Sequence, residues 1–200
     1  MLVTGGARGI GKAIAEYLAA EGIQVVITDV EANQEQVAAV CSGRVVAAPL
    51  GDLTDEAFRQ RLLREALALA GPKGLWGLVN NAGLGLFTPL LGGTAPEEVQ
   101  RCFEVNVAAP LRLAQLWAEQ RVELNLPGAI VNVSSQSSTV VFPAHTSYSV
   151  SKAAIDQVTR HLAVELGPKQ IRCNAVPRTM IRSELASKPL KAVPRRSQAL

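Results

Sequence analysis

The chain has 200 residues, of which 48% are hydrophobic and 18% charged, with a formal net charge of +3. That length fits one domain with a substantial core, and the low charged fraction suits an α/β protein whose sheet is covered on both faces. The small net charge and 4% aromatic content, with no basic stripe, argue against nucleic acid as a partner. No apolar stretch is long enough for a bilayer span, and the start of the sequence lacks a signal-peptide core. Three scattered cysteines, Cys41, Cys102 and Cys173, and two histidines, His145 and His161, have no metal-ligand spacing. The cysteines read as buried thiols of a reducing compartment, which makes the cytoplasm the expected location.

In chain order, a first strand over Leu2 to Thr4 runs into the glycine-rich turn Thr4-Gly5-Gly6-Ala7-Arg8-Gly9-Ile10-Gly11 and a helix near 11–21. Gly5, Gly9, Ile10 and Gly11 place backbone N–H groups and a helix N-terminus where a pyrophosphate is attracted. A second strand, Gln24 to Asp29, ends on an acid about 20 residues further on, the spacing of a dinucleotide site. The Asp29 carboxylate accepts hydrogen bonds from ribose hydroxyls and repels a 2′-phosphate, whereas Arg8 attracts one. The balance favours NAD, with NADP the alternative.

A helix near 31–40, a strand over Arg44 to Pro49, the turn at Asp52-Leu53 and a helix over 54–70 follow. A fourth strand, Leu75 to Asn80, leads into the small-residue turn Asn80-Asn81-Ala82-Gly83. The sequence Thr94-Ala95-Pro96-Glu97 predicts a capping box at the start of a helix over 96–125. A fifth strand, Ala129 to Ser134, precedes Ser135. A helix over 148–166 stops at Gly167-Pro168, before a sixth strand from Ile171 to Val176. Apolar strands alternating with helices predict a doubly wound parallel sheet whose ligand sits at the carboxyl ends of the strands.

Tyr148 and Lys152 lie four residues apart and so share one face of the last helix. An adjacent ammonium favours phenolate over phenol, which fits Tyr148 for proton exchange with a carbonyl or alcohol oxygen near neutral pH.

Together the glycine pattern Thr4 to Gly11, the Asn80-Asn81-Ala82-Gly83 turn, Ser135, Tyr148 and Lys152 resemble the short-chain dehydrogenase/reductase family, from residue 1 to about 176. The stretches 132–138 and 165–172 are similar to its carbonyl reductase and L-xylulose reductase branch. The resemblance implies hydride transfer between nicotinamide and a small-molecule carbonyl or secondary alcohol. It implies Tyr148 as acid or base, Ser135 on the substrate oxygen, Lys152 on the nicotinamide ribose and Asn106 positioning a water. It further implies adenine contacts at Asp52 and Leu53, and cofactor contacts at Asn80, Ala82 and Gly83. His145 is expected to be a solvated loop histidine, with substrate contact as the alternative. Self-association through the 96–125 and 148–166 helices, as a dimer, is expected.

The pattern breaks after the sixth strand. Arg178 stands where the family has glycine, and Thr179 or Ser183 are the candidates for its nicotinamide-gripping threonine. The sequence past 176 lacks a seventh-strand period. The expected organisation is a six-stranded domain over 1–176 and a poorly ordered basic tail over 177–200. The second expectation is a truncated, catalytically impaired form that keeps the fold and associates with other subunits.

Overall fold

The computed structural model describes residues 1–72 and 74–179. Six parallel strands form one sheet in the order β3-β2-β1-β4-β5-β6: β1 Leu2–Thr4, β2 Val25–Thr28, β3 Val45–Ala47, β4 Gly77–Asn80, β5 Gly128–Ser135 and β6 Ile171–Arg178. Helices α1 Gly9–Ala20, α2 Gln34–Val40, α3 Glu56–Ala70, α4 Pro96–Phe103, α5 Ala109–Glu123 and α6 Thr146–Leu166 fill the crossovers. The strand order reverses between β1 and β4, so the connections leaving these two paired strands run to opposite faces of the sheet and leave a crevice at their carboxyl ends.

Alternation along the strands divides the core. Leu2, Val26, Leu78 and Ile130 face one side, where Phe58 and Leu62 of α3, Leu113 and Trp117 of α5 and Leu162 of α6 cover them. Val3, Val25, Ile27 and Val79 face the other, covered by Ala15 of α1 and Val37 and Val40 of α2. Trp117 is fully buried and its indole N–H donates to the Leu75 carbonyl (3.0 Å), so no polar atom is lost with that large apolar area. No helix among the described residues is long and apolar enough to cross a membrane.

Three local differences from the sequence expectation have physical causes. The expected helix over 96–125 is broken by a π-helical turn at Glu104–Ala108, which separates α4 from α5. The capping box does not form. Pro96 does open α4, but the Thr94 hydroxyl donates to the Thr88 and Pro89 carbonyls (3.2 and 3.0 Å) and braces the loop before it. Finally, β6 is not apolar on both faces. Ile171 and Cys173 are buried while Arg172, Asn174 and Val176 are exposed, because among the described residues only one face of this strand carries a helix. The strand also runs past the expected end at 176, pairing Pro177 with Ser134 and Arg178 with Ser135. Proline is tolerated there because, among the described residues, β6 is the last strand in the sheet order.

Candidate active site

A cleft of about 1590 Å³ opens at the carboxyl ends of the strands, running from Gly5, Arg8, Gly9, Ile10 and Asp29 through Asp52, Leu53, Ala82 and Gly83 to Tyr148, Lys152 and Arg178. At its first end the chain turns sharply out of β1. Gly5 has φ +64°, a left-handed conformation that favours glycine. A Cβ on Gly11 would stand 2.0 Å from the Gly5 carbonyl oxygen, so α1 can approach the turn only because residue 11 has no side chain. Gly11 therefore packs the turn from behind, whereas Gly9 and Ile10 face the cleft. The first turn of α1 carries no acidic side chain against its positive end.

Asp29 fixes this turn. Its Oδ2 accepts from the Ala7 N–H (2.9 Å), and its Oδ1 accepts from the Val30 N–H (2.9 Å) and Asn33 Nδ2 (2.8 Å). Asp52, further along, pairs with Arg101 of α4 (2.8 Å). Burial alone would raise its pKa, but the Thr54 N–H, the Arg101 guanidinium and the Thr54 hydroxyl outweigh that and hold its carboxyl below the usual range.

The turn after β4 is stitched to β1. The Thr4 hydroxyl accepts from the N–H groups of Asn81 (3.1 Å) and Ala82 (3.0 Å), and Asn81 Nδ2 donates to the carbonyls of Thr4 (2.9 Å) and Gly5 (3.0 Å). Asn80 points away from the cleft. Its Nδ2 donates to Asn132 Oδ1 (2.8 Å), and Asn132 in turn donates to the Thr159 hydroxyl (2.9 Å), a buried polar line joining β4, β5 and α6. Strand alternation explains the exchange: residues 80 and 81 lie on opposite sides, so the neighbour of the expected residue lines the cavity.

At the far end, Tyr148 and Lys152 are 5% and 4% exposed, with the ammonium 5.7 Å from the phenol ring centroid. Lys152 Nζ donates to the Val133 carbonyl (2.8 Å). Burial first, and then the charge of Arg178, lower the Lys152 pKa to about 8. Asn106, 2% exposed, sits in the π-helical turn and clamps the chain after Gly83. It accepts from the Leu84 N–H (2.8 Å), and it donates to the Leu84 carbonyl (2.8 Å) and the Ser151 hydroxyl (2.9 Å). Such turns recur at functional sites because they re-aim one side chain out of the regular helical register.

Ser135, at the end of β5, is buried, donates to Ser137 Oγ (3.2 Å) and does not itself line the cleft. Its register partner does: Arg178 Nη2 donates to the Tyr148 hydroxyl (3.3 Å). His145 packs tilted against Phe87 (4.4 Å between centroids, 39° between planes), and Phe87 also meets Tyr148 edge-on (5.7 Å), so the histidine belongs to an aromatic wall beside the phenol. Position 183 lies outside the described residues. Sequence reasoning missed Asn81, Phe87 and Arg101. The last two are brought to the cleft region by loop and helix packing that leaves no local signal.

A profile of the short chain dehydrogenase family matches residues 1–192. The chain belongs to that family. It is accordingly an oxidoreductase of the kind that uses a nicotinamide cofactor. It is 37% identical to human L-xylulose reductase over 187 residues, covering 92% of this chain and 72% of that protein. It is 36% identical to pig carbonyl reductase [NADPH] 2, covering 90% and 70%. Among solved structures, a short chain dehydrogenase from Mycobacterium smegmatis superposes with a TM-score of 0.82 at 31% identity, covering 89% of this chain and 75% of that one. 4-Hydroxyisoleucine dehydrogenase complexed with NADH gives a TM-score of 0.77 at 26% identity, covering 88% and 71%. The short-chain dehydrogenase fold thus accounts for all six described strands.

Proposed function

We propose that this short-chain dehydrogenase interconverts a small carbonyl compound and its secondary alcohol, with Tyr148 moving the proton at the substrate oxygen. The observation that carries this is the placement of buried Tyr148 and Lys152 at the end of a cleft whose other end is the glycine turn. The cradle fits a dinucleotide: a left-handed glycine, a helix N-terminus without an acid, and a cavity long enough to reach the phenol. When bound, the dinucleotide supplies or accepts the hydride.

Tyr148 donates its hydroxyl proton to the substrate oxygen in reduction and takes one back in oxidation. Lys152 holds positive charge beside the phenol and is kept in place by the Val133 carbonyl. Ser135 donates to the same substrate oxygen after leaving Ser137, stabilising charge that develops there. Asn106 holds the Leu84 backbone and, through Ser151, the α6 turn that bears Lys152, which keeps a water route to the lysine open. NAD is preferred over NADP because the fixed Asp29 carboxylate lines the adenosine end, where a 2′-phosphate would meet it. The described cysteines are all free thiols, which fits the cytoplasm. The chain self-associates as a dimer through its helical face, where Val122, Val150 and Val164 are exposed; light scattering that reports a monomer would remove that part.

Tyr148→Phe is the direct test. Turnover should fall about a thousandfold while NADH affinity, read by calorimetry, stays within a few-fold. Retained turnover would take Tyr148 out of the mechanism. The competing reading is a chain that keeps the fold without activity. The break in the family pattern at Arg178 favours it; measurable NADH oxidation with any carbonyl substrate dismisses it.

A further inference from the structure

We propose that Arg178 is an anion clamp, which makes 2-oxo acids and the corresponding 2-hydroxy acids the substrate class of this site. The inference rests on Tyr148 acting as the proton donor and deepens that reading.

Parallel pairing of β6 with β5 carries Arg178 level with Ser135, at the catalytic end of the sheet. From there its Nη2 donates to the Tyr148 hydroxyl oxygen at 3.3 Å. A phenol that accepts this bond keeps its own proton free to donate forward. The guanidinium has five N–H donors in a planar fork, and the phenol takes one. Arg178 lines the cleft, and none of the ion pairs formed among the described residues includes it.

The distribution of charge along the cleft points the same way. Its lining carboxylates, Asp29 and Asp52, follow β2 and β3, and Asp52 is paired with Arg101. Among the described residues the catalytic end has two lining cations, Lys152 and Arg178, and no lining carboxylate. Lys152 is bonded to the Val133 carbonyl, so Arg178 has the donors to spare. Its charge also contributes to the depressed Lys152 pKa, a repulsion that a bound anion relieves.

Geometry narrows the anion to a carboxylate next to the carbonyl. In a 2-oxo acid one carbon–carbon bond, about 1.5 Å, separates the two groups. A keto oxygen resting on the phenol therefore brings the carboxylate onto a guanidinium only 3.3 Å from that phenol. Carboxylate and guanidinium match as a bidentate pair. In the reduction the 2-oxo acid gains a hydride at its carbonyl carbon from the reduced nicotinamide dinucleotide. It gains a proton at its oxygen from Tyr148, and leaves as the 2-hydroxy acid.

The test compares 2-oxobutyrate with neutral butane-2,3-dione in wild type, Arg178→Met and Arg178→Lys. For Arg178→Met, kcat/KM on 2-oxobutyrate should fall about a hundredfold, chiefly through KM, from loss of a charge-assisted bidentate pair. On the dione it should also fall, through kcat, because the Tyr148 hydroxyl loses its Arg178 donor, but at least about tenfold less than on the acid, and Arg178→Lys should lie between on the acid. Equal losses on both substrates, or no loss on the acid, overturn the clamp. Oxamate titrated calorimetrically, with and without NADH, reads the guanidinium without turnover and should bind wild type at least about tenfold more tightly than Arg178→Met. If wild type reduces the dione but not the acid, or neither, the 2-oxo acid substrate class falls; equal oxamate binding by wild type and Arg178→Met discards the clamp itself.

Discussion

At the end of the cleft formed by β1, β2 and β3, what faces the cavity is largely backbone and partly exposed side chains: the Gly5 turn, the start of α1, Arg8, and an Asp29 whose oxygens brace that turn. At the end formed by β4, β5 and β6, the working groups are side chains taken almost wholly out of water. Tyr148, Lys152 and Asn106 are each buried, and each is positioned by a carbonyl, hydroxyl or guanidinium partner. The first end recognises shape and charge with groups that need little reorganisation. The second stores electrostatic energy, because a buried ammonium is costly and reacts strongly to any neighbour. On the proposed function, a two-part ligand is bound mainly at the first end and acted on mainly at the second.

The largest expected difference is in Lys152. Unfolded, it keeps its proton up to the ordinary lysine value of 10.5; folded, burial lowers that to about 8. Between those values the unfolded chain binds the extra proton, so stability rises with pH, and below about 8 the burial penalty is present in full. Relative to Lys152→Met, the wild-type unfolding free energy should climb by about 3 kcal/mol across that window, measured by urea denaturation at a series of pH values. A flat difference would mean the ammonium is solvated and the catalytic end stores nothing.

The opposite end is broken by shape. Gly11→Ala forces a methyl against a backbone carbonyl that cannot swing aside. It should cost about 2 kcal/mol in the same denaturation assay and abolish the thermal shift produced by NADH. An undisturbed NADH shift would show that the turn does not hold the dinucleotide. The smallest change concerns selectivity. Asp29→Asn keeps an acceptor for the Ala7 N–H but removes the charge, and should move the NADH to NADPH affinity ratio toward NADPH by about tenfold, or about 1.4 kcal/mol. A ratio that does not move would put the discrimination elsewhere, with Arg8 the first residue to examine.

The sheet was readable from the chain because six apolar runs alternate with amphipathic stretches, and that regularity survives in every described crossover. The Tyr148–Lys152 pair was readable for a related reason: helical spacing alone puts the two on one face. What escaped was set by neighbours distant in sequence. Asn80 and Asn81 look interchangeable in a linear string, and only the β1–β4 seam decides which one meets the cavity. Thr94 has the composition of a cap, yet two carbonyls of the preceding loop compete successfully for its hydroxyl. Arg178 was visible as an anomaly, but its meaning depends on a strand register that extends two residues beyond the apolar run.

The π-helical turn at Glu104–Ala108 adds one residue's worth of chain to what is otherwise a continuous rod. Removing one residue of α4 ahead of Arg101 would let the π-helical turn relax to ordinary pitch only by turning the stretch between the deletion and that turn by about 100° around the axis. Arg101 would then leave Asp52. Conservative substitution along α4 should be widely tolerated, but a one-residue deletion there should be ruinous, a contrast that a library of single deletions would expose at once.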